Sequence, residues 1–363
     1  MLDVPATYAS TERLQKEVDF KPSTSIEEVL QKFSDWYVVE YYKVNLLGEA
    51  KMGKDKNNKS RKKKIIIWSI SVFLILIVSA CGIVYLYIKN TLNKVETIEV
   101  NTEPDNIGIN PGTEKEFKEV RNIALLGIDS KEDDLIGRSD SIMILTLDSI
   151  HNKIKLTSIM RDSYVNIDGY GMDKINHAYA YGGAELALKT LNENFDLNIK
   201  EVMIINFSSL INIIDKIGGI NLNITDEEVS HISGISSSGD HLLNGNQALS
   251  YSRIRYATGG DYKRTERQRT VVNAIFNKLK DTQLTKYPEL VNEFLPYVKT
   301  NISTNDLLKL GTEFSGLASK KLEQDRFPRD EQGEGQNIDG IYYLTFDLDN
   351  VRNSMRDYIF NDK

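Results

Sequence analysis

The stretch NIALLGIDSKEDDLIGRSDSIMILTLDSIHNKIKLTSIMRD, Asn122 to Asp162, decides the fold. It holds three short apolar runs: 122–128 (NIALLGI), 141–148 (SIMILTLD) and 153–160 (KIKLTSIM). Runs of this length, rich in Ile and Leu and bounded by polar turns, are the pattern of strands buried in a sheet. The four residues 149–152 predict that the second and third runs form a hairpin. Each run borders residues able to do chemistry. Asp129 follows the first, Arg138, Ser139 and Asp140 precede the second, and Arg161 and Asp162 follow the third. One sheet brings its strand ends together, so these groups are expected to converge. Two carboxylates, Asp129 and Asp140, flank the loop between the first two strands. Both could face one ion, and Mg²⁺ takes one or two carboxylates plus phosphate oxygens.

Downstream, helix and strand patterns alternate. Helices are expected over 183–195, 208–217 (capped by Ser208), 244–251, 264–280, 287–298, 305–318 and 348–359. Strands are expected over 201–207, 220–224 and 341–346. Residues 319–340, charged and glycine-rich, read as a surface loop. The mixture predicts an α/β layered domain with helices covering a central sheet, and no second core separable from the first.

A second basic group lies in SRIRYATGGDYKRTERQR, residues 252–269. Arg253 and Arg255, at spacing two, point the same way if that segment is extended. Arg264 and Gln268, at spacing four, share one face of a helix. Guanidinium forks converging from two elements suit phosphate. A solvated basic face or a nucleic-acid patch is the competing reading. Against nucleic acid stands the net charge of −7 over 363 residues, although local clusters can override an average.

Residues 65–88 (IIIWSISVFLILIVSACGIVYLYI) carry no charge over twenty-four residues, enough to cross a hydrocarbon core as a helix. Trp68, Tyr85 and Tyr87 are placed as interfacial anchors. The preceding residues 51–64 hold eight Lys or Arg and one Asp. The positive-inside bias then puts 1–64 in the cytoplasm and 89–363 outside the cell, as a single-pass membrane protein. The one cysteine, Cys81, lies inside this segment, so the outer domain is held by its core rather than by disulfides. Residues 44–64 read as a basic linker, 89–119 as a polar stem and 120–363 as the folded domain. Residues 1–43 resemble the C-terminal tail of UDP-glucuronate epimerase-type proteins. They lack that family's dinucleotide loop and its Tyr-x-x-x-Lys pair, so no epimerase activity carries over.

Other chemistries are disfavoured. His151, His177, His231 and His241 show no metal-ligand spacing, and no Walker or dinucleotide loop is present in the outer domain. His177 reads as structural or substrate-lining. Several arginines with a carboxylate pair and no nucleophile motif point to metal-assisted phosphoryl transfer.

Seven motifs in order resemble the LytR-CpsA-Psr family: LLGID (125–129), GRSDSIMILTL (137–147), SIMRDSYV (158–165), KINHAYAYGG (174–183), INFSSLINIIDKIGGINLNI (205–224), LNGNQALSYSRIRY (243–256) and GDYKRTERQR (260–269). The resemblance implies an α-β-α domain with a central mixed sheet, binding a polyprenyl pyrophosphate lipid whose tail lies in an apolar tunnel. It implies an enzyme that transfers a lipid-linked glycopolymer, teichoic acid or capsular polysaccharide, onto peptidoglycan. Asp129 and Asp140 would then hold Mg²⁺. Arg138, Arg161, Arg253, Arg255 and Arg264 would clamp the pyrophosphate, with Gln268 as a further ligand. Asp162 or Asp261 would orient these arginines or deprotonate the acceptor hydroxyl. The loop YATGG (256–260) lacks the acidic-Pro-Arg pattern of relatives, which puts acceptor contacts there in doubt. A non-catalytic lipid or wall-binding protein and a membrane-bound transcriptional regulator are the alternatives.

Overall fold

The computed structural model describes residues 27, 28, 30–36, 96–130, 135–255, 259–280, 293–317 and 319–363. The chain divides into two units, Met1–Ala80 and Cys81–Lys363. In the first, the described residues are helical. Residues 65–88 and the loop 256–258 lie outside the described residues, as does the first half of the helix expected over 287–298. Among the described residues no helix is long and apolar enough to cross a membrane.

The second unit is built on seven strands: β1 (Glu96–Thr97), β2 (Val120–Ile128), β3 (Ser139–Asp148), β4 (Lys153–Ile159), β7 (Glu201–Asn206), β10 (Lys299–Thr300) and β11 (Leu322–Phe327). Their order across the sheet is β1-β10-β7-β2-β3-β4-β11. The expected hairpin is present, with Ile142 opposite Ile159 and Asp148 opposite Lys153. β2 runs antiparallel to β3 and parallel to β7, so the sheet is mixed. Three two-stranded pairs flank it: β5 (Tyr164–Ile167) with β6 (Gly171–Lys174), β8 (Ile220–Ile224) with β9 (Gly239–Leu243), and β12 (Gly333–Ile338) with β13 (Ile341–Phe346).

The helices are α1 (Pro111–Glu116), α2 (His177–Phe195), α3 (Phe207–Lys216), α4 (Asp226–Val229), α5 (Gly245–Ser252), α6 (Gly260–Lys280), α7 (Thr304–Leu317) and α8 (Leu348–Phe360). On one face of the sheet, α2 and α8 bury Leu188, Leu191, Val351 and Ile359 against Ala124, Leu126 and Ile144. On the other face, Phe276 of α6 and Leu317 of α7 pack on Met143, Leu147 and Ile154. Strands covered on both faces read as near-continuous apolar runs, which is why these strands stand out in the sequence.

Five expectations change. Residues 319–340 form β11 and β12 rather than a loop. β11 pairs in parallel with β4 and buries Leu322, Arg326 and Phe327, while Gln324 is exposed and Glu323 and Asp325 are half-buried. Residues 96–119 do not stand apart as a stem, because Ile107, Ile109 and Phe117 are buried in the main core. A separate apolar cluster exists: Ile214, Ile220, Leu243, Ala248 and Val271 form a satellite core beneath α3, α5 and β8–β9. The cap of α3 is Asn206, whose side chain accepts from the Ser209 N–H at 2.7 Å, rather than Ser208. Helix α2 starts earlier than expected and carries a kink at Gly182–Gly183, where Gly183 has φ +63°.

Candidate active site

The C-terminal ends of β2 and β4 and the N-terminal end of β3 lie at one edge of the sheet, because β3 is antiparallel to both neighbours. A register shift after Gly127 places Ile128 opposite Ser139. The Asp129 N–H donates to the Arg138 carbonyl at 3.1 Å, which closes the base of the intervening loop. Asp129, Arg138, Asp140, Arg161 and Asp162 consequently share the wall of one polar cavity of about 450 Å³, as the sequence predicts.

Arg253 and Arg255 complete that wall. They do so without an extended segment: Arg253 is the C-cap of α5, with φ −102° and ψ −2°. Its guanidinium lies over the Phe207 ring at 4.4 Å, a cation–π contact that fixes its position.

The charges interlock. Asp140 accepts from Arg161 Nη1 at 2.6 Å and from Asn176 Nδ2 at 3.0 Å, with Arg255 Nη2 3.8 Å away. Asp162 pairs with Lys174 Nζ at 2.8 Å and lies 3.5 Å from Arg161 Nε. Asp261 bridges Arg161 (3.6 Å) and Arg264 (3.1 Å). The cavity wall carries five cationic side chains against three carboxylates. Such an excess in a recess draws in an anion.

Arg264 is only 2% exposed, and its Nε has no hydrogen-bond partner. Burial pushes its guanidinium down to about 10; Asp261 opposes this, and Arg161 and Arg255 add to it. A buried cation held among other cations is stabilised by an incoming anion.

Gln268 falls elsewhere. It lines a second, apolar cavity of about 220 Å³. Leu125 and Gly127 of β2, Met143 of β3 and Met203 and Ile205 of β7 form its floor, and Val271 and Val272 of α6 one side. These floor residues alternate with those facing the main core, as the period of two requires. Gly127 is needed there, since a Cβ would meet the Ser141 Cβ at 2.9 Å. Asp140 and Arg253 line both cavities. A charged recess opening on an apolar one fits a molecule with an anionic head and a hydrocarbon tail.

Lys174 and Asn176 line the polar cavity but were given no individual role from sequence. Asn176 occupies the N-cap position of α2 yet makes no capping hydrogen bond. Its amide is committed to Asp140, and its Oδ1 is buried without a partner. A polar residue before a helix reads as a cap, and the contact that redirects it is long-range. His177 is held by Asp173 at 2.8 Å, which suits a structural role.

The donor set fits a hard divalent cation. Asp129, Asp140 and the free Asn176 Oδ1 are all oxygen donors on one wall. Among the described residues no group of three His, Cys, Asp or Glu side chains is clustered as a metal cage. An ion here would complete its shell with water and substrate oxygens, the habit of Mg²⁺.

A model of the LytR_cpsA_psr family matches residues 83–357. The polyisoprenyl-teichoic acid–peptidoglycan teichoic acid transferase TagU of Enterococcus faecalis is 34% identical over 299 residues, 79% of this chain and 94% of that protein. Among solved structures, TagT bound to LI-WTA is 28% identical with a TM-score of 0.57, covering 70% of this chain and 93% of that one. The family protein YwtF (TagT) with bound octaprenyl pyrophosphate lipid is 27% identical with a TM-score of 0.53, covering 67% and 91%.

Proposed function

The chain belongs to the LytR-CpsA-Psr family, and from that premise we propose that it transfers a polyprenyl-pyrophosphate-linked glycopolymer, a teichoic acid or capsular polysaccharide, onto peptidoglycan with the help of Mg²⁺. It is an enzyme, a glycopolymer–peptidoglycan phosphotransferase. The observation that carries the reading is the junction of the two cavities at Asp140 and Arg253. The pyrophosphate sits in the cationic recess and the polyprenyl tail in the apolar one.

The reaction follows from charge. The acceptor sugar hydroxyl attacks the phosphorus bearing the glycan, the bond to the bridging oxygen breaks, and polyprenyl phosphate leaves. Negative charge grows on the leaving phosphate, where Arg138, Arg253 and Arg255 line the recess with N–H donors. Mg²⁺, when held by Asp129 and Asp140, supplies further neutralisation of that charge. Asp162, on the cavity wall, takes the hydroxyl proton. Asp261, tied to Arg161 and Arg264, holds those two guanidiniums in place. Gln268 contacts the first isoprene units beside the head.

Residues 65–88 anchor the protein in the cell membrane with residues 1–64 inside and 89–363 outside, where peptidoglycan is. A reporter enzyme fused after Lys363 should be active only outside the cell; a cytoplasmic signal would return the chain to a regulatory role. The decisive assay incubates the full chain in detergent with a lipid-linked glycan, peptidoglycan and Mg²⁺. Release of polyprenyl phosphate together with polymer-bearing peptidoglycan is expected. Donor binding without release would make it a binding protein.

A further inference from the structure

Helix α6 has two polar faces. Asp261, Arg264 and Gln268 lie on the side of the clamp and the apolar cavity. Tyr262, Glu266 and Arg269 follow at spacings of four and three, which the period of 3.6 gathers on the opposite side. There they meet the end of β11 and the turn after it, around a separate cavity of about 570 Å³.

Arg269 is the unusual member of that wall. It is 8% exposed, and its Nε and Nη1 are buried without hydrogen-bond partners. The neighbouring cations are matched. Lys263 pairs with Glu266 at 2.8 Å, Arg329 with Asp325 at 2.7 Å, and Arg326 with Asp330. Arg326 also lies over the Tyr262 ring at 4.1 Å and donates to the Pro328 carbonyl at 3.0 Å. The remaining carboxylate of the wall, Glu331, is exposed. Leaving two N–H groups of a buried guanidinium unmade is costly. Burial, and then the charge of Arg326, push Arg269 below its ordinary range.

We propose that the cavity between α6 and the β11 turn is a second oxyanion site, in which Arg269 receives a carboxylate or phosphodiester group. A guanidinium offers such a group charge-assisted N–H donors, and Nε and Nη1 of Arg269 are both uncommitted. The face is separated from the pyrophosphate clamp by the body of α6, so it takes an anion other than the reacting one. The polymer and the wall both carry anions of this chemistry, phosphodiesters on one and carboxylates on the other. The proposal does not depend on transfer activity.

The test is binding of inorganic phosphate and of acetate to the full chain in detergent, by titration calorimetry. Two phosphate sites are expected. Arg255→Ala should weaken one at least tenfold and leave the other. Arg269→Gln should weaken the second at least tenfold and leave the first. Gln324→Trp, at an exposed strand position lining the same cavity, should block the second site without touching the buried group, which covers a fold failure of Arg269→Gln. Acetate competing at the second site identifies carboxylate as its ligand; phosphate binding there without acetate competition identifies a phosphodiester. A single phosphate site, or a second site that survives Gln324→Trp unchanged, overturns the proposal, whatever the outcome of the transfer assay.

Discussion

Asp140 and Arg161 are joined by a 2.6 Å contact between Oδ2 and Nη1 that spans two neighbouring strands of the sheet. The same carboxylate also takes a hydrogen bond from Asn176. One side chain thereby sets the position of a cation, a helix start and one wall of each cavity.

Asp140→Asn should lower polyprenyl phosphate release by about 100-fold, the scale of losing a fixed electrostatic group at a reacting centre. The fold should persist, since the amide can still bond Arg161. If Asp140 and Asp129 hold Mg²⁺, chelation should stop release and added Mg²⁺ restore it. The half-saturating Mg²⁺ concentration of Asp129→Ala should then rise at least tenfold. Unchanged Mg²⁺ dependence in that variant would remove Asp129 from the metal site.

Arg264 separates stability from activity. Its folded value of about 10 lies below the ordinary guanidinium range, so the charged form is disfavoured by folding. Below pH 10 the group is charged in both states and the cost is constant. Above about pH 10, up to the ordinary guanidinium value, the unfolded chain binds more protons, and stability from this group rises with pH. Arg264→Met should therefore stabilise the fold at neutral pH by on the order of 1–3 kcal/mol and raise the melting temperature, while transfer falls. A destabilised variant would show that the pair with Asp261 outweighs the burial cost.

The apolar cavity should read tail length. Val272→Trp fills it from the α6 side. Its KM for a long polyprenyl donor should rise about tenfold, with little change for a donor carrying one or two isoprene units. Overpacking should cost about 1–3 kcal/mol of stability. Equal effects on both donors would place the tail elsewhere.

Acid sensitivity should track Asp148. It is buried, which alone would raise its pKa. Hydrogen bonds from His151 and Lys155 outweigh that and hold it below its ordinary 3.8. Its stabilisation is thus complete above about pH 4 and lost as pH falls through the folded value. Asp148→Asn should cost about 1–3 kcal/mol near neutrality, because it removes one charge partner of buried Lys155, which keeps Asp362 and the Tyr358 and Ile359 carbonyls. Its melting temperature should then change less than the wild type's between pH 5 and pH 2.

The central strands were legible because both faces are covered, so their residues are almost uninterruptedly apolar. The arginines and the two carboxylates were legible because strand ends convert sequence neighbours into spatial ones. β11 was hidden because it is an edge strand, with Glu323, Gln324 and Asp325 partly or fully exposed between Leu322 and Phe327. The packing of 96–119 was hidden because Ile107, Ile109 and Phe117 follow no regular period. Lys174 and Asn176 reach the site through backbone bonds of their neighbourhood, Ile175 N–H to Ser163 and Asn176 N–H to Arg161. Nothing local in the chain announces those contacts.

The backbone bond between Asp129 and Arg138 has a bearing on how such a protein diversifies. It ties off the loop between β2 and β3 like the neck of a bag. Residues inserted or deleted beyond that neck would leave Asp129 and Asp140 where they stand. The placement of the two carboxylates and the length of that loop are in this way separate variables, free to change one without the other.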